Sequence, residues 1–204
     1  MTAAGSSPAP AAPAPRVELA RRDDVPDMLA IANWAAAHTT ANFATEPEPL
    51  SMWLSLWDET ATRHPWLVVR DGGRVLGFAK SSPHRARGAY AWTAEVTVYV
   101  HPDAHGRGVG TALYRRLIPM LRAQGYVTLL AGITQPNPAS ERLHASVGFE
   151  RCATFHRAGW KDGAWRDVAY FELHLQPADH RPAPIRPVAE VWTEAPPSEP
   201  GPSG

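Results

Sequence analysis

The segment Val96-Thr-Val-Tyr-Val-His-Pro-Asp-Ala-His-Gly-Arg-Gly-Val-Gly110 has the residue types needed to hold a diphosphate. A β-branched run enters a glycine-rich turn, and Thr111-Ala-Leu-Tyr-Arg-Arg-Leu117 continues as an amphipathic helix. Gly106, Gly108 and Gly110 let the backbone turn tightly and approach a ligand, while the first amides of the helix point back at the loop. The loop also excludes chemistry. Gly110-Thr111-Ala112 supplies no lysine for a phosphoryl-transfer P-loop. Thr111 stands where a dinucleotide fingerprint needs its third glycine, and Val127-Thr-Leu-Leu-Ala-Gly-Ile-Thr134 brings no acid for a ribose. A tight turn with no ligand is the competing reading of the same glycines.

Glu95 precedes this run, in mid-strand among Trp92, Val96, Val98 and Val100. A carboxylate is costly there unless it is paired or poised for work, and Arg85 or Arg87 would be its pairing partner. Downstream lies Asn137-Pro-Ala-Ser140-Glu-Arg-Leu143-His144-Ala-Ser-Val-Gly-Phe149. From the sequence alone His144 reads as a surface or satisfied helical histidine. Cys152 has no histidine or acid at a helpful spacing, so a small buried thiol is expected rather than a nucleophile.

Taken in order, these motifs resemble the GNAT N-acetyltransferase superfamily, and within it the phosphinothricin N-acetyltransferase branch. Asn42-Phe43, Thr45-Glu46-Pro47, Arg85-Ala-Arg87, Ala89-Tyr90, Trp92-Thr93, Glu95, Thr97-Val-Tyr-Val100, Arg142-Leu143-His144 and Ala158-Gly-Trp-Lys161 carry the likeness, which spans residues 16 to 188. The resemblance implies acetyl-CoA as cosubstrate and no metal. The strand backbone at Val98, Tyr99 and Val100, the loop His105, Gly106, Arg107, Gly108, Val109, Gly110 and Thr111, and the helix residues Asn137 and Ser140 would hold it. It further implies Glu95 as the base that deprotonates the substrate ammonium and His144 as a group that takes that proton or returns one to the CoA thiolate. The amide near Val98 would polarise the acetyl carbonyl.

Phe43, Arg85, Arg87 and Tyr90 supply the cations and rings that an amino acid with a second anionic or polar tetrahedral group requires. An ordinary solvated loop is the alternative for the two arginines. The expected substrate is a small amino-acid-like amine such as phosphinothricin, methionine sulfoximine or methionine sulfone. A different amine (an ordinary amino acid, an aminoglycoside, a protein N-terminus) and a non-catalytic CoA-binding module stay open. Two positions depart from the branch: Ala44 replaces its arginine after Asn-Phe, and His105 replaces its glutamine or arginine at the loop entry.

The elements that must position these residues alternate. Arg16–Ala20 reads as a strand, and Asp23 or Asp24 caps a helix with Pro26 in its first turn. Leu50–Ala61 reads as a helix with Trp53, Leu54 and Trp57 on one face, and Asp71-Gly72-Gly73 as a hairpin between Trp66–Arg70 and Arg74–Ala79. A long strand Tyr90–Val100, helix 107–124, strand 127–134, helix 138–147 and a final pair around Phe149–His156 and Trp165–Leu175 follow. Together they predict an α/β fold with a mixed, mostly antiparallel central sheet flanked by helices, in the GNAT order.

Composition sets the surroundings. The 20 Lys and Arg balance the 20 Asp and Glu, which gives no field favouring nucleic acid or membrane. One cysteine and no long apolar run fit a reducing cytoplasm. Residues 1–15, rich in Ala and Pro, are expected to be disordered, 16–176 to form the acetyltransferase domain, and 177–204 to be a Pro-rich tail partly extended along that domain, with Ile185, Val188, Val191 and Trp192 against it. Eight tryptophans predict a homodimer with Trp34, Trp53 or Trp57 at a twofold interface.

Overall fold

The β-branched and aromatic runs pair into one sheet, and the segments with helical spacing cover its two faces. The computed structural model describes residues 15–178 and 181–193. Seven strands, β1 (Val17–Leu19), β2 (Trp66–Asp71), β3 (Arg74–Pro83), β4 (Thr93–Val100), β5 (Thr128–Thr134), β6 (Glu150–Lys161) and β7 (Ala164–His174), are ordered β1-β2-β3-β4-β5-β7-β6. The helices are α1 (Val25–His38), α2 (Leu50–Thr60), α3 (Val109–Gln124), α4 (Pro138–Ser146) and the four-residue α5 (Val188–Val191).

Every neighbouring pair is antiparallel except β4 and β5. Those two run parallel and pair only over Thr93–Glu95 with Thr128–Leu130, so the C-terminal half of β4 has no partner on that side. Two apolar layers hold the sheet. Met28, Ile31, Trp53, Trp66, Val68 and Phe78 pack between it and α1 and α2, and Leu67, Val96, Leu113, Leu117, Leu129 and Phe171 pack between it and α3. Alternation along β4 turns Ala94, Val96 and Val98 to the α3 layer and Tyr99 to the α1 layer, which places Glu95 and Thr97 on the face that Tyr99 shares.

Several local expectations need correction. Tyr90 lies in a short 3₁₀ turn, Gly88–Tyr90, and the strand starts only at Thr93. Asp24 occupies the position before α1 but makes no side-chain cap; its carboxylate accepts the Arg21 amide and pairs with Arg70. Of the three tryptophans named for core or interface, Trp53 lies in the core, edge-on to Trp66 and Phe78. Cys152 is exposed rather than buried, because it stands on the outer strand of the sheet. Within the tail, Ile185 and Val188 enter the α3 layer, and Val188–Val191 forms a helical turn. The expectations for residues 1–14 and 194–204 fall outside the described residues. Among those described, no helix is long and apolar enough to cross a membrane.

Candidate active site

The unpaired half of β4 opens a cavity of about 850 Å3 between β4, β5, α3 and α4. Val98, Tyr99, Val100, His105, Gly106, Gly108, Val109, Gly110, Thr111, Asn137, Ser140 and His144 all line it. Backbone polarity along β4 follows from two hydrogen bonds. His101 N–H donates to Leu76 on the β3 side, and Trp92 O accepts from Val127 on the β5 side. Strand groups alternate, so the even-numbered amides Val98 and Val100 turn toward the gap. At the gap's wide end, Gly106 and Gly108 have φ of +73° and +75°, and an added Cβ on either would meet nothing within 4 Å. Gly108 is thus the left-handed residue that lets α3 begin facing open space. Gly110 has a different role from the one expected of it. It lies inside the first turn of α3, and a Cβ there would sit 2.9 Å from Leu143 Cδ2 of α4.

The other residues of this wall are fixed by local bonds. Asn137 Oδ1 accepts the Ser140 amide at 3.1 Å and so caps α4. His105 Nε2 donates to Val100 O at 3.0 Å. Arg107 does not line the cavity; its guanidinium lies 3.7 Å from Asp71 across the hairpin turn. His144 is 2 % exposed, with both ring nitrogens engaged. Ser140 O can only accept, so Nδ1 carries the proton across 2.8 Å, and Nε2 accepts the Tyr114 hydroxyl at 2.9 Å. Burial lowers the pKa of this imidazole, an effect the Ser140 carbonyl opposes, and burial raises that of the Tyr114 hydroxyl. No ring nitrogen of His144 is left to exchange a proton with a ligand directly.

A second cluster adjoins the cavity at the other end of β4. Glu95 is half-exposed and is paired with neither Arg85 nor Arg87: His84 Nδ1 lies 2.7 Å from its Oε1. Arg85 stacks its guanidinium over Tyr90, 5.9 Å from the ring centroid, and Arg87 carries no side-chain bond among the described residues. The Phe43 ring fills the place of a side chain at Gly159. The loop that bears it is tied to β6 by Lys161 Nζ, which donates to the carbonyls of Ala36, Asn42 and Ala44.

The comparisons with known proteins fit this arrangement. The family model for Acetyltransferase (GNAT) family matches residues 28–149. The chain belongs to the GNAT acetyltransferase family. It is 37% identical to a phosphinothricin N-acetyltransferase of Streptomyces viridochromogenes, over 82% of this chain and 91% of that protein. It is also 37% identical to an L-methionine sulfoximine/L-methionine sulfone acetyltransferase of Pseudomonas aeruginosa, over 78% and 94% of the two chains. A phosphinothricin acetyltransferase of Sinorhizobium meliloti, solved in complex with AcCoA, superposes with a TM-score of 0.73 at 28% identity, over 87% of this chain and 95% of that one. The protein is an acetyl-CoA-dependent N-acetyltransferase.

The cleft of this acetyltransferase suits the cosubstrate on its own geometry: a left-handed glycine cradle and helix amides at one end suit a diphosphate, and free strand amides suit an extended amide-bearing arm. Among the described residues no group of three or more His, Cys, Asp or Glu could hold a metal ion. Four side chains near the acetyltransferase site escaped sequence reasoning. Lys80 stands opposite Thr97 on β3, over the Trp66 ring at 4.9 Å; burial pushes its pKa down to about 8, while the charges of Glu48 and Glu95 pull it up. Tyr170 of β7 lies against Gly132, its pKa raised by burial and by Glu95 and lowered by Arg85. Tyr114 and His84 are the others. Only the parity of β3 hinted at Lys80, since nothing local distinguishes the rest from core or loop residues. Nothing beside Cys152 activates it as a nucleophile among the described residues: its Sγ donates to Tyr170 O, and partial burial, then Glu172, raises its pKa.

Proposed function

We propose that the protein acetylates the amino group of a small amino-acid-like substrate, with phosphinothricin, methionine sulfoximine and methionine sulfone heading the candidates. The observation that carries this reading is Glu95, whose Oε2 has no hydrogen-bond partner among the described residues and which sits on the strand that runs directly into the cleft. The names of the relatives support the substrate class. Bound acetyl-CoA supplies the acetyl thioester. The amides of Gly108 to Thr111 hold its diphosphate, and Val98 N–H is the donor for the acetyl oxygen.

Glu95 takes a proton from the substrate ammonium, because only the neutral amine can attack. Arg85 and Arg87 bind the anionic end of the substrate, Tyr90 and Phe43 bound it laterally, and Lys80 adds a third cation on the Glu95 face. His144 supports the cleft wall, joining α4 to Tyr114 of α3. Acetyl-CoA-dependent thiol release with a panel of amines tests the reading. Turnover highest with amino acids bearing a tetrahedral second group is expected, whereas turnover confined to aminoglycosides or peptides would sink it.

Homodimer formation and a cytoplasmic location belong to the same reading. The exposed aromatic surface is not where the sequence suggested: Trp160 and Trp165, 57 and 58 % exposed, stand opposite each other on the β6–β7 pair with ring centroids 5.6 Å apart and are the candidate interface. Sedimentation at micromolar concentration should show a dimer that Trp160→Glu dissociates; a monomer throughout would remove the proposal.

A further inference from the structure

Two distances fix the proton arrangement around the base. His84 Nδ1 lies 2.7 Å from Glu95 Oε1, and Arg85 Nε lies 3.3 Å from His84 Nε2. A guanidinium can only donate, so Nε2 is the lone-pair nitrogen of the ring and the proton sits on Nδ1. His84 is then a neutral imidazole that donates to Glu95. The same assignment excludes His84 itself as the base, since its lone pair is already taken. Tyr90 meets the ring edge-on at 5.4 Å between centroids and limits its rotation. Lys80 from β3 and Tyr170 from β7 feel the charge of Glu95 but form no hydrogen bond to it.

We propose that His84 is a positioning residue of the acetyl transfer, holding Glu95 through Oε1 so that Oε2 is the oxygen presented to the substrate ammonium. The inference rests on Glu95 being the base. In the proton transfer an N–H bond of the ammonium breaks and an O–H bond forms at Oε2, while the His84 proton stays on Nδ1. The value of the contact is geometric. A glutamate on a half-exposed strand position has three side-chain torsions, and a displacement of about 1 Å in a reacting group can cost up to about 10²-fold in rate.

The test compares His84→Phe, which keeps a ring against Tyr90 but removes the donor, with His84→Asn, whose side-chain N–H can replace Nδ1–H. His84→Phe should lower kcat by about ten- to a hundredfold with the KM for acetyl-CoA unchanged, and His84→Asn should recover to within about threefold of the parent. Should the phenylalanine variant not fold, His84→Leu serves in its place. Parent-like kcat in the donor-less variant overturns the inference, as does equal impairment of both variants accompanied by a lowered melting temperature. Glu95→Gln separates this from the underlying reading: if that variant turns over normally the base assignment fails, whereas an inactive Glu95→Gln beside an unimpaired His84→Phe removes only the role of His84.

Discussion

Replacing Glu95 with glutamine removes a base while leaving its surroundings almost unchanged. The side chain is 37% exposed and its one hydrogen bond among the described residues is to His84. The amide oxygen of glutamine can still accept His84 Nδ1–H, so folding stability should change by no more than about 0.5 kcal/mol, a shift of only about 1–2 °C in Tm. Turnover near neutral pH should nonetheless fall by about 10²–10⁴. That loss has a built-in pH dependence. Below its pKa the neutral fraction of an amine rises about tenfold per pH unit, so the ratio of parent to variant should shrink by at least about tenfold between pH 7 and pH 9. Thiol release measured at both pH values, with calorimetric binding of acetyl-CoA and thermal melting on the same preparations, gives all three quantities. A variant that melts several degrees lower yet turns over near-normally, or a defect independent of pH, would refute the argument.

Three further outcomes are expected. Gly108→Glu forces a side chain into a backbone of φ +75° at a strain of about 1–3 kcal/mol and sets a carboxylate against the diphosphate cradle, so acetyl-CoA affinity should drop at least tenfold; calorimetry showing unchanged affinity would move the cosubstrate elsewhere. Tyr114→Phe leaves His144 Nε2 buried without a partner and should cost about 1–3 kcal/mol in urea unfolding, with a neutral result showing that the nitrogen finds another donor. His64 is 5% exposed, and burial first, then Arg63 and Lys80, pushes its pKa down to about 4. Between the ordinary value of 6.5 and about 4 the unfolded chain binds more protons, so stability present above that window should be lost as pH falls through it, by about 3 kcal/mol. Urea midpoints at pH 7 and 4.5 measure this, and His64→Asn should flatten the dependence.

The parts of this protein that the sequence determined are those whose physics is local. A left-handed glycine before a helix, a cap at Asn137 and an Asp-Gly-Gly hairpin each depend on a few consecutive residues, so the cofactor loop, α3, α4 and the β2–β3 pair stand close to where the residues placed them. What tertiary structure decided was partnership. Beside its reading as a base, the sequence offered Arg85 or Arg87 as a pairing partner for Glu95, but the chain's course between β3 and β4 brings His84 to it instead. Lys80 joins the site because antiparallel register sets it opposite Thr97, and Tyr114 meets His144 because α3 packs on α4, 30 residues away. Cys152 left its expected surroundings for a related reason: burial of a residue depends on whether another layer covers its face, and α2 lays Trp53 against the sheet while Cys152 stands on the outer strand. Register, layer order and edge position are properties of the assembled sheet, and no spacing within one strand encodes them.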